Sequence, residues 1–351
     1  MNPFSIRGGE VFTFTVPLKD PFVTALGSKS ETTNAAVRLR LAGGAQGCGE
    51  ASSSIVMKHL SAQALAQALR GLLSRLRGRD VREFEPLARE VWRLCPGTPA
   101  AAAAFECAAL DALTRALGVR MVHWFGGAQD SLETDLTLSA WPAPQAGAAA
   151  EKALREGFRC LKIKVGTKDK DADLERVRAV VLAGRRRGVR PGLILDGNQG
   201  FTAEGALRFL ERSLKLGAKA VLCEQPLPRE RLKEAAWLSR RSPVPLAADE
   251  SVRSPEDALA VLEAGAAEVL NIKVAKLGLR RSLDVAALAR AAGKKLMIGC
   301  MQESARGLSP SVHLACGLGG FSFVDLDSDA LLDESQPRGD FRRKGRTLTL
   351  S

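Results

Sequence analysis

The most constraining feature of this 351-residue chain is an alternation that begins near Asp135 and runs almost to its end. Short aliphatic or β-branched runs lie at Leu136–Leu138, 161–165, 193–195, 220–223, 246–247, Val269–Ile272, 296–298 and 323–326. Longer segments with helical spacing separate them, at about 144–156, Lys170–Arg186, 203–216, 229–239, Pro255–Ala264, 280–292 and 304–315. Eight strands with intervening helices predict a parallel barrel. A doubly wound sheet shares the alternation, but no G-x-G-x-x-G follows the early strands.

In such a barrel the C-terminal ends of the strands hold the active site. Asp196 follows Leu193-Ile194-Leu195 in LDGNQG, Glu224 follows Val221-Leu222-Cys223 in CEQPL, and Asp249 follows Leu246-Ala247-Ala248 in ADES. Their spacings of 28 and 25 residues each match one strand-helix repeat, so the three carboxylates converge on one mouth. Unpaired, they would repel one another and shift their pKa values upward. A divalent cation resolves this, and oxygen-only donors favour Mg²⁺ first and Mn²⁺ second.

Lysines complete the pattern. Cys160–Val165 reads CLKIKV, and residues two apart on a strand share a side, so Lys162 and Lys164 stand together. Two adjacent cations lower each other's pKa, and a lysine depressed toward neutrality is a general base. Lys273 ends the strand in LNIKVAK and falls opposite Lys164 across a round mouth, so the pair can act on two faces of one carbon. Lys276 is expected past the strand end, outside the site.

The N-terminal third reads differently. Residues 8–50 alternate as antiparallel strands around a polar loop at about 19–32, and three helical segments follow at 60–76, 83–94 and 99–117. This is a small α+β unit.

K-x-K on a strand, Asp/Glu/Asp in D-G-N-Q, E-Q-P and A-D-E-S contexts, and N-I-K together resemble the enolase superfamily in its muconate-lactonizing-enzyme subgroup. The resemblance implies a (β/α)7β TIM-type barrel over 126–327 and an α+β capping domain over 1–125, completed by 328–351. It also implies that Asp196, Glu224 and Asp249 bind Mg²⁺, that Lys164 and Lys273 are the acid/base pair, and that Lys162 helps stabilise an enediolate. Asp325 and Asp327, in FVDLD, are similar to the pair with which dipeptide epimerases hold a substrate ammonium, and period-two spacing aims both the same way. TALGSKS and GCMQES add to the likeness, with Cys300, Met301 and Glu303 expected to line the mouth and set side-chain specificity. Lys29, in the polar loop, would favour an acidic side chain. The expected activity is therefore Mg²⁺-dependent epimerisation of a dipeptide at its C-terminal α-carbon. N-acylamino-acid racemases, o-succinylbenzoate synthases and muconate cycloisomerases share the fold but have no free ammonium to bind. A non-catalytic binding protein on the same barrel is the rival from another class.

Composition narrows the remaining classes. The net charge of +12 raises nucleic acid as a partner, but the basic residues are dispersed with few aromatics among them, which reads as a solvated surface. No apolar run approaches a membrane span and no signal peptide is apparent, so a cytoplasmic location without membrane or nucleic-acid partners is expected. Seven scattered cysteines without a C-x-x-C pair read as reduced thiols. His59, His123 and His313 lie away from strand ends and read as structural. A homo-oligomer is left open.

Overall fold

The computed structural model describes residues 2–24, 27–53 and 60–351. His59 and the Ala25-Leu26 portion of TALGSKS lie outside these. The chain opens with β1 (Ile6–Thr24), β2 (Gly27–Leu41) and β3 (Gln46–Ala51), an antiparallel sheet in the order β1-β2-β3. The expected polar loop at 19–32 is instead strand on both sides. After a register shift between Pro17 and Phe22, pairing resumes as Phe22↔Lys29 and runs to Thr24↔Gly27. The polar composition that suggested a loop reflects the exposed face of a projecting two-stranded ribbon.

Helices α1 (Ala62–Arg75) and α3 (Pro99–Ala116) pack on that sheet, α2 (Phe84–Leu94) packs against α3, and the short α4 (Met121–Trp124) follows. The alanine run of α3 has a steric purpose: a Cβ on Gly47 or Gly49 of β3 would fall 2.1 Å from the Ala108 carbonyl oxygen or 1.8 Å from that of Ala104. Small residues on both partners let helix backbone lie directly on strand backbone.

After β4 (Ser131–Glu133) comes the barrel: β5 (Leu136–Leu138), α5 (Ala143–Arg155), β6 (Cys160–Lys164), α6 (Lys170–Arg186), β7 (Gly192–Asp196), α7 (Ala203–Lys215), β8 (Ala220–Glu224), α8 (Leu232–Ser239), β9 (Leu246–Ala248), α9 (Pro255–Ala264), β10 (Val269–Ile272), α10 (Val274–Ala291), β11 (Lys295–Gly299), α11 (Ala305–Leu318) and β12 (Phe321–Asp325). All eight strands are parallel and adjacent in sequence order from β5 to β12. The seam between β12 and β5 is closed partly by side chains: Asp135 N donates to Val324 O at 3.0 Å, Leu326 N to Thr134 Oγ1 at 2.8 Å, and Thr137 N to an Asp327 carboxylate oxygen at 2.5 Å.

One barrel helix differs from its sequence reading. The periodicity predicts a start at Arg280, whereas α10 begins at Val274 and breaks at Gly278, whose φ of 70° a side chain would resist. A first turn directly after β10 thus precedes the long helix. The tail forms α12 (Ser328–Leu331), β13 (Phe341–Lys344) and β14 (Thr347–Leu350), with β14 pairing to β4. Leu332 bridges to Leu18 of β1, so the tail also touches the N-terminal sheet.

Candidate active site

The ends of the barrel strands and the β1–β2 ribbon enclose a cavity of about 900 Å³. Lys162, Lys164, Asp249, Lys273, Cys300, Met301, Asp325 and Asp327 line it, as do Leu18, Phe22, Leu331 and Leu332. Asp196 and Glu224 lie just beneath, fully buried.

Each carboxylate comes from the inward-facing last position of its strand or the residue after it, as period-two alternation requires. Lys162 Nζ sits among three of them, 3.0 Å from Asp196, 2.8 Å from Glu224 and 2.7 Å from Asp325. Lys164 Nζ shares one of these carboxylates, donating to Asp196 Oδ2 at 2.5 Å. Across the mouth, Lys273 Nζ lies 2.8 Å from Asp249 Oδ2. With β6 and β10 four strands apart in an eight-stranded order, the ammonium groups of Lys164 and Lys273 approach the cavity from opposite walls.

Burial alone would depress Lys162 and Lys273. The carboxylates around them outweigh it and hold both above the ordinary lysine range. The depressed K-x-K lysine expected from like-charge repulsion is therefore not what this arrangement gives Lys162, because Asp196, Asp325 and Glu224 face it more closely than the pattern alone reveals. Asp196, which burial would raise, is lowered to about 2 by Lys162 and Lys164. Glu224 is pushed up to about 7, burial being the main cause.

The donor set fits a hard divalent ion. Asp196, Glu224 and Asp249 are buried and offer only oxygen. Glu224 Oε2 has no aligned hydrogen bond despite its 2.8 Å approach to Lys162, and the neighbouring Asn198 Oδ1 and Glu250 Oε2 are likewise unpartnered. Buried carboxylate and amide oxygens without an aligned hydrogen-bond donor are what a cation would satisfy.

The loops that present these groups are strained and pinned. Asn198, Gln199 and Gln225 of the DGNQ and EQP stretches have positive φ, which non-glycine residues adopt at a cost. Gln225 explains part of the EQP pattern: its Oε1 accepts from Asp249 N at 2.9 Å and Ser251 N at 3.1 Å, while its Nε2 donates to Ser251 Oγ at 2.9 Å. It fixes the backbone that carries Asp249.

Several sequence expectations are corrected. Lys276 is not outside the site; the first turn of α10 buries it, 2.6 Å from Asp249 Oδ1, on the cavity wall. Glu303 does not line the mouth. Its carboxylate folds back to accept from Met301 N at 3.0 Å, and burial raises it to about 8. Lys29 does not reach the cavity either; its ammonium donates to Ser53 O at 2.7 Å. Cys300 and Met301 do line it, and Cys300 Sγ lies 3.9 Å from Asp327 Oδ1. Asp325 and Asp327 are buried and both face the cavity.

Three residues were missed. Asp135, at the foot of β5, is buried with both oxygens unpartnered, and burial beside Asp325 and Asp327 raises it well above the usual range. Asn271 Nδ2 donates to Glu224 Oε1 at 2.9 Å, and Glu250 accepts from Asn198 Nδ2 at 3.3 Å. The NIK and ADES motifs contained the last two; nothing local marked Asp135.

The chain matches two family models, the mandelate racemase / muconate lactonizing enzyme N-terminal domain over residues 8–126 and the enolase C-terminal domain-like family over 145–350. It belongs to this family of enolase-like barrel proteins with an N-terminal capping domain. Among relatives, it is 37% identical over 349 residues to the aromatic dipeptide epimerase of Herpetosiphon aurantiacus, covering 99% of this chain and 97% of that protein. It is 36% identical over 325 residues to the L-Ala-D/L-Glu epimerase of Thermotoga maritima, covering 93% and 92%. The dipeptide epimerase of Methylococcus capsulatus, solved in complex with Mg and the dipeptide L-Arg-D-Lys, superposes with a TM-score of 0.89 at 32% identity, over 99% of this chain and 97% of that one.

Proposed function

We propose that this protein is a Mg²⁺-dependent dipeptide epimerase that moves a proton at the α-carbon of the substrate's C-terminal residue. The observation that carries the reading is the placement of Lys164 and Lys273 on opposite walls of one cavity, above buried carboxylates and facing Asp325 and Asp327. The named activities of the relatives support it.

In this reading Asp196, Glu224 and Asp249 hold Mg²⁺, which when bound offsets the negative charge that develops on the substrate carboxylate as the α-proton leaves. Lys164 and Lys273 are the two acid/base groups, one taking the proton from its face while the other returns one from the opposite face. Lys162, fixed by Asp196, Glu224 and Asp325, adds a second positive charge beside that carboxylate. Lys276 and Gln225 position Asp249 from side chain and backbone. Asp325 and Asp327 receive the N-terminal ammonium as a charge-assisted pair. Closure of the mouth by the β1–β2 ribbon excludes water. The barrel unit is taken as 126–327, with 1–125 and 328–351 forming the cap. Support for that division comes from the Leu18–Leu332 bridge and from Asp333 N donating to Pro17 O at 2.9 Å.

The test is epimerisation of an L,L-dipeptide followed by chiral chromatography. Activity should vanish with a chelator and return on adding Mg²⁺. Undiminished turnover in a chelator would remove the metal from the mechanism.

A further inference from the structure

The cavity wall above the reacting groups is apolar on the side where the two substrate side chains would lie. Phe22 of β1 stands over Lys164, its ring centre 5.8 Å from Nζ, so it flanks the carbon from which Lys164 would take or to which it would give a proton. Leu18 and Leu332 are buried together in a cluster with Val16, against which Phe22 and Leu331 pack. Leu331 and Leu332 close the helix that follows Asp325 and Asp327, next to the place assigned to the substrate's ammonium and hence to its N-terminal residue.

Cationic candidates on this side are occupied. Lys29 pairs in register with Phe22, yet its ammonium is held by the Ser53 carbonyl oxygen at 2.7 Å and is half-buried, with burial lowering its pKa. Lys19 donates to Ala330 O at 3.0 Å. The three arginines bordering the cavity, Arg229, Arg253 and Arg281, stand on the β8–β10 side, away from Phe22: Arg229 bonds Glu230 at 2.5 Å, Arg253 lies between β9 and α9, and Arg281 stacks 3.8 Å over the Trp92 ring. A glutamate side chain projecting toward Phe22 would lose water and meet hydrocarbon, which is costly. An aliphatic or aromatic side chain there gains burial.

Resting on the dipeptide-epimerase reading, we propose that the substrates are dipeptides apolar at both positions. The C-terminal side chain packs on Phe22 and the N-terminal one on Leu18, Leu331 and Leu332. Phe22 is thereby a specificity-determining residue, and Lys29 is not.

The experiment is α-proton exchange in D₂O with Mg²⁺ on L-Leu-L-Phe, L-Leu-L-Ala, L-Ala-L-Glu, L-Lys-L-Arg and N-succinyl-L-Phe, using the wild type, Phe22→Ala and Leu331→Ala. The expected result is a kcat/KM for L-Leu-L-Phe at least ~10-fold above that for L-Ala-L-Glu and L-Lys-L-Arg, the scale of one well-filled apolar contact. Phe22→Ala should lower the ratio of L-Leu-L-Phe to L-Leu-L-Ala about 10-fold. Leu331→Ala should lower kcat/KM for L-Leu-L-Phe more than for L-Ala-L-Glu. Fastest exchange with L-Ala-L-Glu or L-Lys-L-Arg, or an unchanged Phe/Ala ratio in Phe22→Ala, would overturn the specificity while leaving the epimerase reading intact. Exchange of N-succinyl-L-Phe alone would overturn that reading, and the specificity with it.

Discussion

The same barrel strands build two layers of opposite character one alternation apart. Lower in the barrel, Ile194, Leu222, Ala247, Val269 and Met297 form an apolar plug, with Cys160 and Phe323 packed against it. Two residues further along each strand, on the same inward face, stand Asp196, Glu224, Asp249, Asn271, Gly299, Lys162 and Asp325. The lower layer gains stability by hiding hydrocarbon from water. The upper layer concentrates buried charges that are tolerable only because each faces an opposite charge. Gly299 shows how full that layer is, since a Cβ there would come 2.8 Å from Lys273 Cε and from Asn271 Oδ1. One β-strand thus separates folding from chemistry by a single step of its pleat.

If that division holds, substitutions two residues apart should have unlike effects. The largest concerns Lys164 and Lys273, which stand one further step up β6 and β10 from Lys162 and Asn271 of the upper layer. Lys164→Ala and Lys273→Ala should each lower turnover on the order of 10³-fold or more, and lower the thermal midpoint as well, because each takes an opposite charge from a buried carboxylate. Near-normal turnover in either variant would break the two-base assignment. In the lower layer, Leu222→Ala should cost about 2–5 kcal/mol of stability by denaturant melting, while turnover below the transition stays close to wild type.

A smaller effect sits where the layers' roles overlap. Asp325→Asn and Asp327→Asn should raise KM for dipeptides on the order of 10–100-fold, the scale of a lost charge-assisted pair, and change N-acylated substrates far less. Asp327 also closes the barrel seam through Thr137 N, so its variant should lose stability as well. Equal losses on both substrate types would assign the pair to structure alone.

The smallest effect lies outside both layers. Burial in α11 leaves His313 Nδ1 without a partner and pushes its pKa down to about 4. An unfolded histidine takes up its proton near pH 6.5. Its contribution to stability is therefore complete above pH 6.5 and is lost as the pH falls toward 4, by no more than ~1.4 kcal/mol per pH unit. His313→Gln should flatten that slope in melts across the window, and an unchanged slope would remove His313 as its source.

Much of this was legible from strand-end spacing, because period two and the length of one strand-helix repeat dictate which residues share the mouth. The barrel strands fall within a few residues of their sequence positions, and Lys162, Lys164, Lys273 and Asp249 line one cavity with Asp196 and Glu224 buried just beneath it. What could not be read depended on backbone direction between elements. Lys276 enters the site because Gly278 breaks α10 and leaves one turn behind β10. Glu303 leaves the mouth because its own loop has an N–H, that of Met301, for it to cap. Lys29 turns to Ser53, 24 residues away, a partner no local pattern specifies. Membership in the family, at 37% identity to one relative, rests on the whole chain and not on these details.

The most direct test of the central claim is the ¹H NMR spectrum of an L,L-dipeptide of apolar residues in D₂O with the protein and Mg²⁺. Loss of the C-terminal residue's α-proton signal together with new peaks of the L,D diastereomer is expected, and neither change with Lys164→Ala or Lys273→Ala. Unchanged dipeptide spectra beside rapid exchange of an N-succinyl amino acid would contradict the claim.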